Sequence, residues 1–165
     1  MDIVAALRQY LSEQPEVVAT LGYDKVFKSE LGGWLFQEQI NSPVEISSRV
    51  LGDRSIAAVI QSAGSWTEPN EHNTMRFPRI RITFFADPDR DADRNIRDKL
   101  SAKDKITRAF EAIDGHLHRM TTRELVVGNV RILRSRRLGE IEYFPDIPDG
   151  DGMWRGEAYY ALGVC

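Results

Sequence analysis

The sequence predicts an α+β domain: one mainly antiparallel sheet with two helices packed on its inner face. Two segments, 77–86 and 153–164, alternate apolar and polar residues with the period of a half-buried strand. Two others, 2–14 and 101–114, space their apolar residues for one face of a helix. Their order along the chain, helix, strands, helix, strands, is that of an α+β sandwich and not of repeated βαβ units.

In segment 2–14, Ile3, Val4, Leu7 and Leu11 fall at helical spacing, Asp2 suits the N-cap, and Pro15 ends the run. Residues 16–21 add a short second turn, stopped at Gly22. From Lys25 the pattern is extended: Val26-Phe27 and Trp34-Leu35-Phe36 are short strand candidates separated by Gly32-Gly33. Segment 55–61, centred on Ile56-Ala-Ala-Val-Ile60, reads as a buried strand, and 62–75 as a polar loop. In 77–86, Ile80, Ile82, Phe84 and Ala86 point one way and Arg79, Arg81, Thr83 and Phe85 the other; Pro78 is tolerated at a strand start or edge. A turn at 87–91 leads into a long helical stretch to Asp114. Ser101 and Asp104 resemble a capping box, and Gly115 is a plausible stop. Segments 124–127, 130–135 and 139–144 are short extended pieces, with Gly128-Asn129 a tight turn. The closing strand sets Trp154, Ala158, Tyr160, Leu162 and Val164 against Arg155, Glu157 and Tyr159.

The chain has 165 residues, which suits a single domain over 1–165, large enough to bury a core without disulfides or metal. Its one cysteine, Cys165, excludes an internal disulfide scaffold. No apolar run approaches the ~20 residues that span a bilayer, and the N-terminus lacks a basic start with an apolar core. A soluble protein made in a cytoplasm, with no membrane partner, is therefore expected. The net charge of −3 argues against a protein that coats nucleic acid.

Templates for chemistry fail in turn. The glycines form neither G-x-x-x-x-G-K-[ST] nor G-x-G-x-x-G, and no G-x-S-x-G elbow is present. Cys165 at the chain end has no base to activate it. His72, His116 and His118 lack the convergent third and fourth ligands that zinc needs. Asp87, Asp89, Asp91 and Asp93 suggest a calcium loop, but Ala92 and Asp98 stand where an EF-hand needs Gly and Glu. Acidic residues ahead of a helix also complement its dipole. Asp146, Asp149 and Asp151 lie in a Pro/Gly loop. No catalytic residue, cofactor or metal is expected.

The candidates that remain are surfaces. Arg131, Arg134, Arg136 and Arg137 are the best nucleic-acid hint. On a regular strand, however, Arg131 and Arg137 share one face with Leu133 and Ser135, and Arg134 and Arg136 the other, so the charge is split and no aromatic platform alternates with it. Arginine with aromatics is also the composition of protein interfaces. The candidate interface residues are Arg79, Arg81, Phe85, Arg134, Arg136, Arg137, Trp154, Arg155 and Tyr159. The alternative, faces that meet only water or each other, stays open.

The order of elements resembles the tail terminator proteins of long-tailed bacteriophages, grouped with other small neck and head–tail completion proteins. The resemblance covers nearly the whole chain. It rests on the helix at 2–14, the strand around Trp34-Leu-Phe36, and the strand at 55–61 with its polar loop. It continues through Phe77-Pro-Arg-Ile-Arg-Ile-Thr-Phe-Phe-Ala-Asp87, which leads to the long helix, and the closing strand 153–164. The resemblance implies a small sandwich that closes into a homo-hexameric ring on the tail tube, monomeric when free. It implies a virion protein assembled in the host cytoplasm. Its partners would be the tail tube protein and a head–tail connector or completion protein, with DNA only passing through the lumen. Loops 62–75 and 143–152 are candidate contact loops. The competing expectations are another neck protein one station higher and, from a different class, a small nucleic-acid-binding regulator using Arg131–Arg137.

Overall fold

The computed structural model describes residues 3–21, 35–37, 56–67, 76–86, 102–118, 125–127, 129–145 and 154–164. Within them lie helices α1 (Ile3–Ser12), α2 (Pro15–Thr20) and α3 (Ala102–Leu117). The strands are β1 (Leu35–Gln37), β2 (Ile56–Thr67), β3 (Arg76–Ala86), β4 (Leu125–Val127), β5 (Val130–Arg137), β6 (Glu142–Pro145) and β7 (Trp154–Val164). The α+β class holds. The Val26-Phe27 strand, the Ser101 cap and the aspartates of 87–93 and 146–151 lie outside the described residues.

One sheet runs β1-β2-β3-β7-β5-β4, with β6 also on β7. It is antiparallel except for β1, which pairs with β2 in parallel. Strands β5 and β6 pair with successive halves of β7, Ile132 to Arg137 against Val164 to Tyr160 and Glu142 to Pro145 against Glu157 to Trp154. They line one side of β7, interrupted at 138–141, where β5–β6 carries two residues more than β7 opposite. Gly139, at φ 76°, makes that excursion in a conformation other residues adopt at a cost. Val127 pairs with Val130, so β4 and β5 are paired up to the two positions where a tight turn is expected, of which Gly128 lies outside the described residues.

Two expectations are corrected. Strand β2 does not stop at Gln61 but continues to Thr67, because the register slips between Ser62 and Ser65 around Gly64 at φ 106°. A bulge absorbs the polar residues without ending the strand. Helix α3 runs past Gly115 to Leu117, since Ile113 and Leu117 continue its buried stripe and outweigh the poor propensity of one glycine. The two helices expected on the inner face are α1 and α3, and the short turn expected at 16–21 is α2, which packs on α3 and α1. The short α2 is started by Pro15 and held by Val17, which is fully buried.

Helix α3 lies along β7, and successive side chains meet successive strand positions. Lys103 sits over the rings of Tyr143 and Trp154, Ile106 over Gly156, and Asp114 meets Tyr160. Eleven helical residues rise about 17 Å and six strand residues about 20 Å, so the two run in step. Phe110 packs edge-on to Phe84 at 6.4 Å between centroids. Helix α1 touches β1, β2 and β4, both margins of the sheet, so the sheet curls around the helices.

The N-terminal helices are tied to α3 through His116. Its Nδ1 lies 3.2 Å from the Tyr10 hydroxyl and its Nε2 3.3 Å from a Glu16 carboxylate oxygen. A hydrogen bond from its own backbone N–H, followed by the bond to His116, holds the Glu16 carboxyl below its ordinary value of 4.5. A depressed carboxylate contributes above 4.5 and is lost as pH falls through its folded value. Hydrogen-exchange protection of α2 should therefore be flat above 4.5 and decline below it. Protection that declines already on approach to neutrality would mean the carboxylate is not the titrating group.

Candidate assembly interface

The side-chain alternation of β3 and β7 places two different chemistries on the two faces of the sheet. Ile80, Ile82, Phe84 and Ala86 face the helices, opposite Tyr160, Ala158, Gly156 and Trp154 of β7. Arg79, Arg81, Thr83 and Phe85 face away, opposite Ala161, Tyr159, Glu157 and Arg155. No described helix packs on this second face. Ala57, Val59 and Thr83 on it are nonetheless buried, while Arg79, Arg134 and Arg136 are exposed.

Strand β5 reaches the same face by an irregularity. Val130 and Ile132 are in the core, but the register slips by one between Ile132 and Arg134, so Ser135 and Arg137 turn to the helices. Arg134 and Arg136, opposite Gly163 and Ala161, join Arg131 on the far side. The expected split of this arginine group is therefore corrected: a bulge changes which residues share a face. Three of the four arginines lie together.

Across the face, residues form rows. Arg136, Ala161 and Arg79 make one row, and Gln61, Arg81 and Tyr159 the next. Gly163 has no side chain, and Arg134 reaches across it to stack on Phe77, 5.2 Å from the ring centroid. Arg81 donates to the Gln61 side-chain oxygen at 2.6 Å. Further along, Arg155 sits between Phe85 and Phe144, 5.0 Å over the latter ring, with its Nε 3.7 Å from Glu157. The Nε atoms of Arg81 and Arg155 are shielded from solvent with no hydrogen-bond acceptor among the described residues. Stacking leaves the edges of a guanidinium available for planar acceptors.

Seven of the nine sequence candidates thus share one face: Arg79, Arg81, Phe85, Arg134, Arg136, Arg155 and Tyr159. Two do not. Trp154 pairs with Ala86 and packs against the core. Arg137 faces the helices, donates from a terminal nitrogen to Asp114 Oδ2 at 2.7 Å and lies over the Phe110 ring. Its backbone N–H donates to His118 Nδ1, so both His116 and His118 have contacts within the fold. Phe77, Phe144, Gln61 and Gly163 belong to the face but were not legible as candidates. Each matters only through a partner on another strand. Among the described residues no group of three or more His, Cys, Asp or Glu is placed to hold a metal.

No protein-family model matches the chain, and no curated protein matches it. Its fold is similar to that of a chain in the solved virion of a native gene transfer agent (GTA) particle. The TM-score is 0.50 at 13% sequence identity, with 99% of this chain and 98% of that chain covered.

Proposed function

We propose that this chain is a structural protein of a virion and that it works by assembly, without catalysis. The observation that carries this reading is the fold likeness to a gene transfer agent virion chain, which runs almost end to end on both chains. A shared fold alone does not imply a shared role. The resemblance of the element order to tail terminators narrows it: the chain forms a ring that caps the tail tube, stops its growth and docks it to the head connector. A second reading, an adaptor or completion protein of the neck, fits the same virion likeness. Tails assembled without the protein distinguish them. Abnormally long tubes are expected for a terminator. Tubes of normal length that fail to join heads would favour the neck protein, and normal joined particles would sink both.

A further inference from the structure

We propose that the corner formed by Arg79, Arg134 and Arg136 grips the phosphate backbone of duplex DNA without reading its sequence. The inference goes beyond the assembly reading above and does not rest on it. It starts from three charges that the fold leaves unanswered. Arg79, Arg134 and Arg136 are exposed on the face turned away from the helices, and none of them pairs with an acid among the described residues. Arg131 already has a contact within the fold and is not counted. Arg79 and Arg136 flank Ala161, and Arg134 lies beside Gly163, so the floor between the guanidinium groups is shallow. Stacking on Phe77 holds Arg134, so less rotational freedom is lost when its N–H edges meet phosphate oxygens.

The occupant follows from what the corner has and what it lacks. A protein partner needs an apolar anchor near the centre of the contact. The one large apolar side chain exposed among the described residues, Val126, stands outside the corner on edge strand β4. Closely spaced phosphates need only cations. Arg79 and Arg136 are two strands apart, about 10 Å, and Arg134 and Arg136 two residues apart, about 7 Å. A duplex presents about six phosphates over ~10 Å of its axis, so each guanidinium has one within reach. Single strands are the weaker occupant, because they are held by stacking. The Phe77 and Phe144 rings already carry Arg134 and Arg155. Duplex RNA is recognised partly through its 2′-hydroxyls, to which Ala161 and Gly163 offer no polar side chain. The net charge of −3 opposes approach at long range. The grip is therefore short-range and weak, in the non-specific range of about 10⁻⁴–10⁻⁶ M.

The test is fluorescence anisotropy of a labelled DNA duplex of arbitrary sequence, titrated with the full chain from about 50 to about 200 mM salt. Three phosphate contacts give a log–log salt slope of about −2.7, so affinity should fall about 40-fold across that range. In the double variant Arg134→Gln/Arg136→Gln the slope should shrink to about −0.9 and the fall to about 3-fold, with binding at the lowest salt about 10-fold weaker. Circular dichroism checks that the variant folds, as substitution at exposed positions should allow. If it misfolds, Arg79→Gln and Arg136→Gln singly should each remove about 0.9 from the slope. No binding at the lowest salt, or a slope that no variant changes, overturns the proposal. So does tighter binding to single-stranded DNA of the same length, to duplex RNA, or to an acidic peptide of equal charge. Tube length is measured independently, so failure here leaves the terminator reading standing.

Discussion

Replacing Asp114 with Ala should lower the stability of the domain by about 2–4 kcal/mol, read as a fall in urea midpoint with an unchanged slope. One oxygen of this carboxylate accepts from the Tyr160 hydroxyl at 2.8 Å and the other from the Arg137 guanidinium at 2.7 Å. Helix α3 is thereby joined to the neighbouring strands β7 and β5. Removing the carboxylate leaves a buried hydroxyl without its acceptor and a guanidinium beside Phe110 without its counter-charge. The pair is not fully enclosed, with side-chain exposures of 24% for Arg137 and 17% for Asp114, which keeps the loss below that of a wholly buried pair. Burial first, and then Asp114 through its hydrogen bond and charge, pushes the Tyr160 hydroxyl far above the ordinary tyrosine range. It therefore acts as a donor throughout neutral pH. Tyr160→Phe should cost only about 1 kcal/mol, because the carboxylate keeps Arg137. A loss as large for Tyr160→Phe as for Asp114→Ala would show that packing around the ring, and not the carboxylate, dominates.

The second large effect is expected at Gly156. A Cβ there would lie 2.6 Å from Cγ2 of Ile106 and 3.3 Å from Cδ1 of Ile141. Ile106 is fully buried and β-branched on a helix, so its methyl has little freedom to move aside. Gly156→Ala should cost about 1–3 kcal/mol and Gly156→Val more, since either side chain would push α3 off β7. The cause is testable by a double-mutant cycle. Ile106→Ala removes the clashing methyl, so the pair Gly156→Ala/Ile106→Ala should be less destabilised than the sum of the single variants by about 1 kcal/mol or more. Simple additivity would mean that the glycine serves some need other than close approach.

Both sites show how much was open to reading from the chain alone. The alternation of 77–86 and 154–164 assigned the face of nearly every residue in β3 and β7 before any coordinates, because strand periodicity is local. The stripe Ala102, Ile106, Ala109, Phe110 and Ile113 likewise marked the buried side of α3. Gly156 and Asp114, by contrast, carry no local signal. A glycine in a strand and an aspartate near a helix end become significant only when Ile106 or Tyr160 lies opposite.

The arginines of β5 mark the boundary between the two kinds of information. Composition alone pointed to an Arg-and-aromatic surface, since few plain solvated faces carry Arg79, Arg81 and Phe85 on one strand. Which arginines belong to it was decided by pairing with β7. Side chains alternate with a period of two, so one extra residue between Ile132 and Arg134 reverses every assignment on one side of it. That residue is accommodated by the neighbouring strand's register, which no local pattern in 130–137 encodes. Local periodicity and composition were enough for the α+β fold and an arginine-rich strand face. The tertiary structure turned Arg137 to the helix side against Asp114 and gathered Arg79, Arg81, Arg134 and Arg136 on the opposite face, because the bulge in β5 resets which side chains share a face.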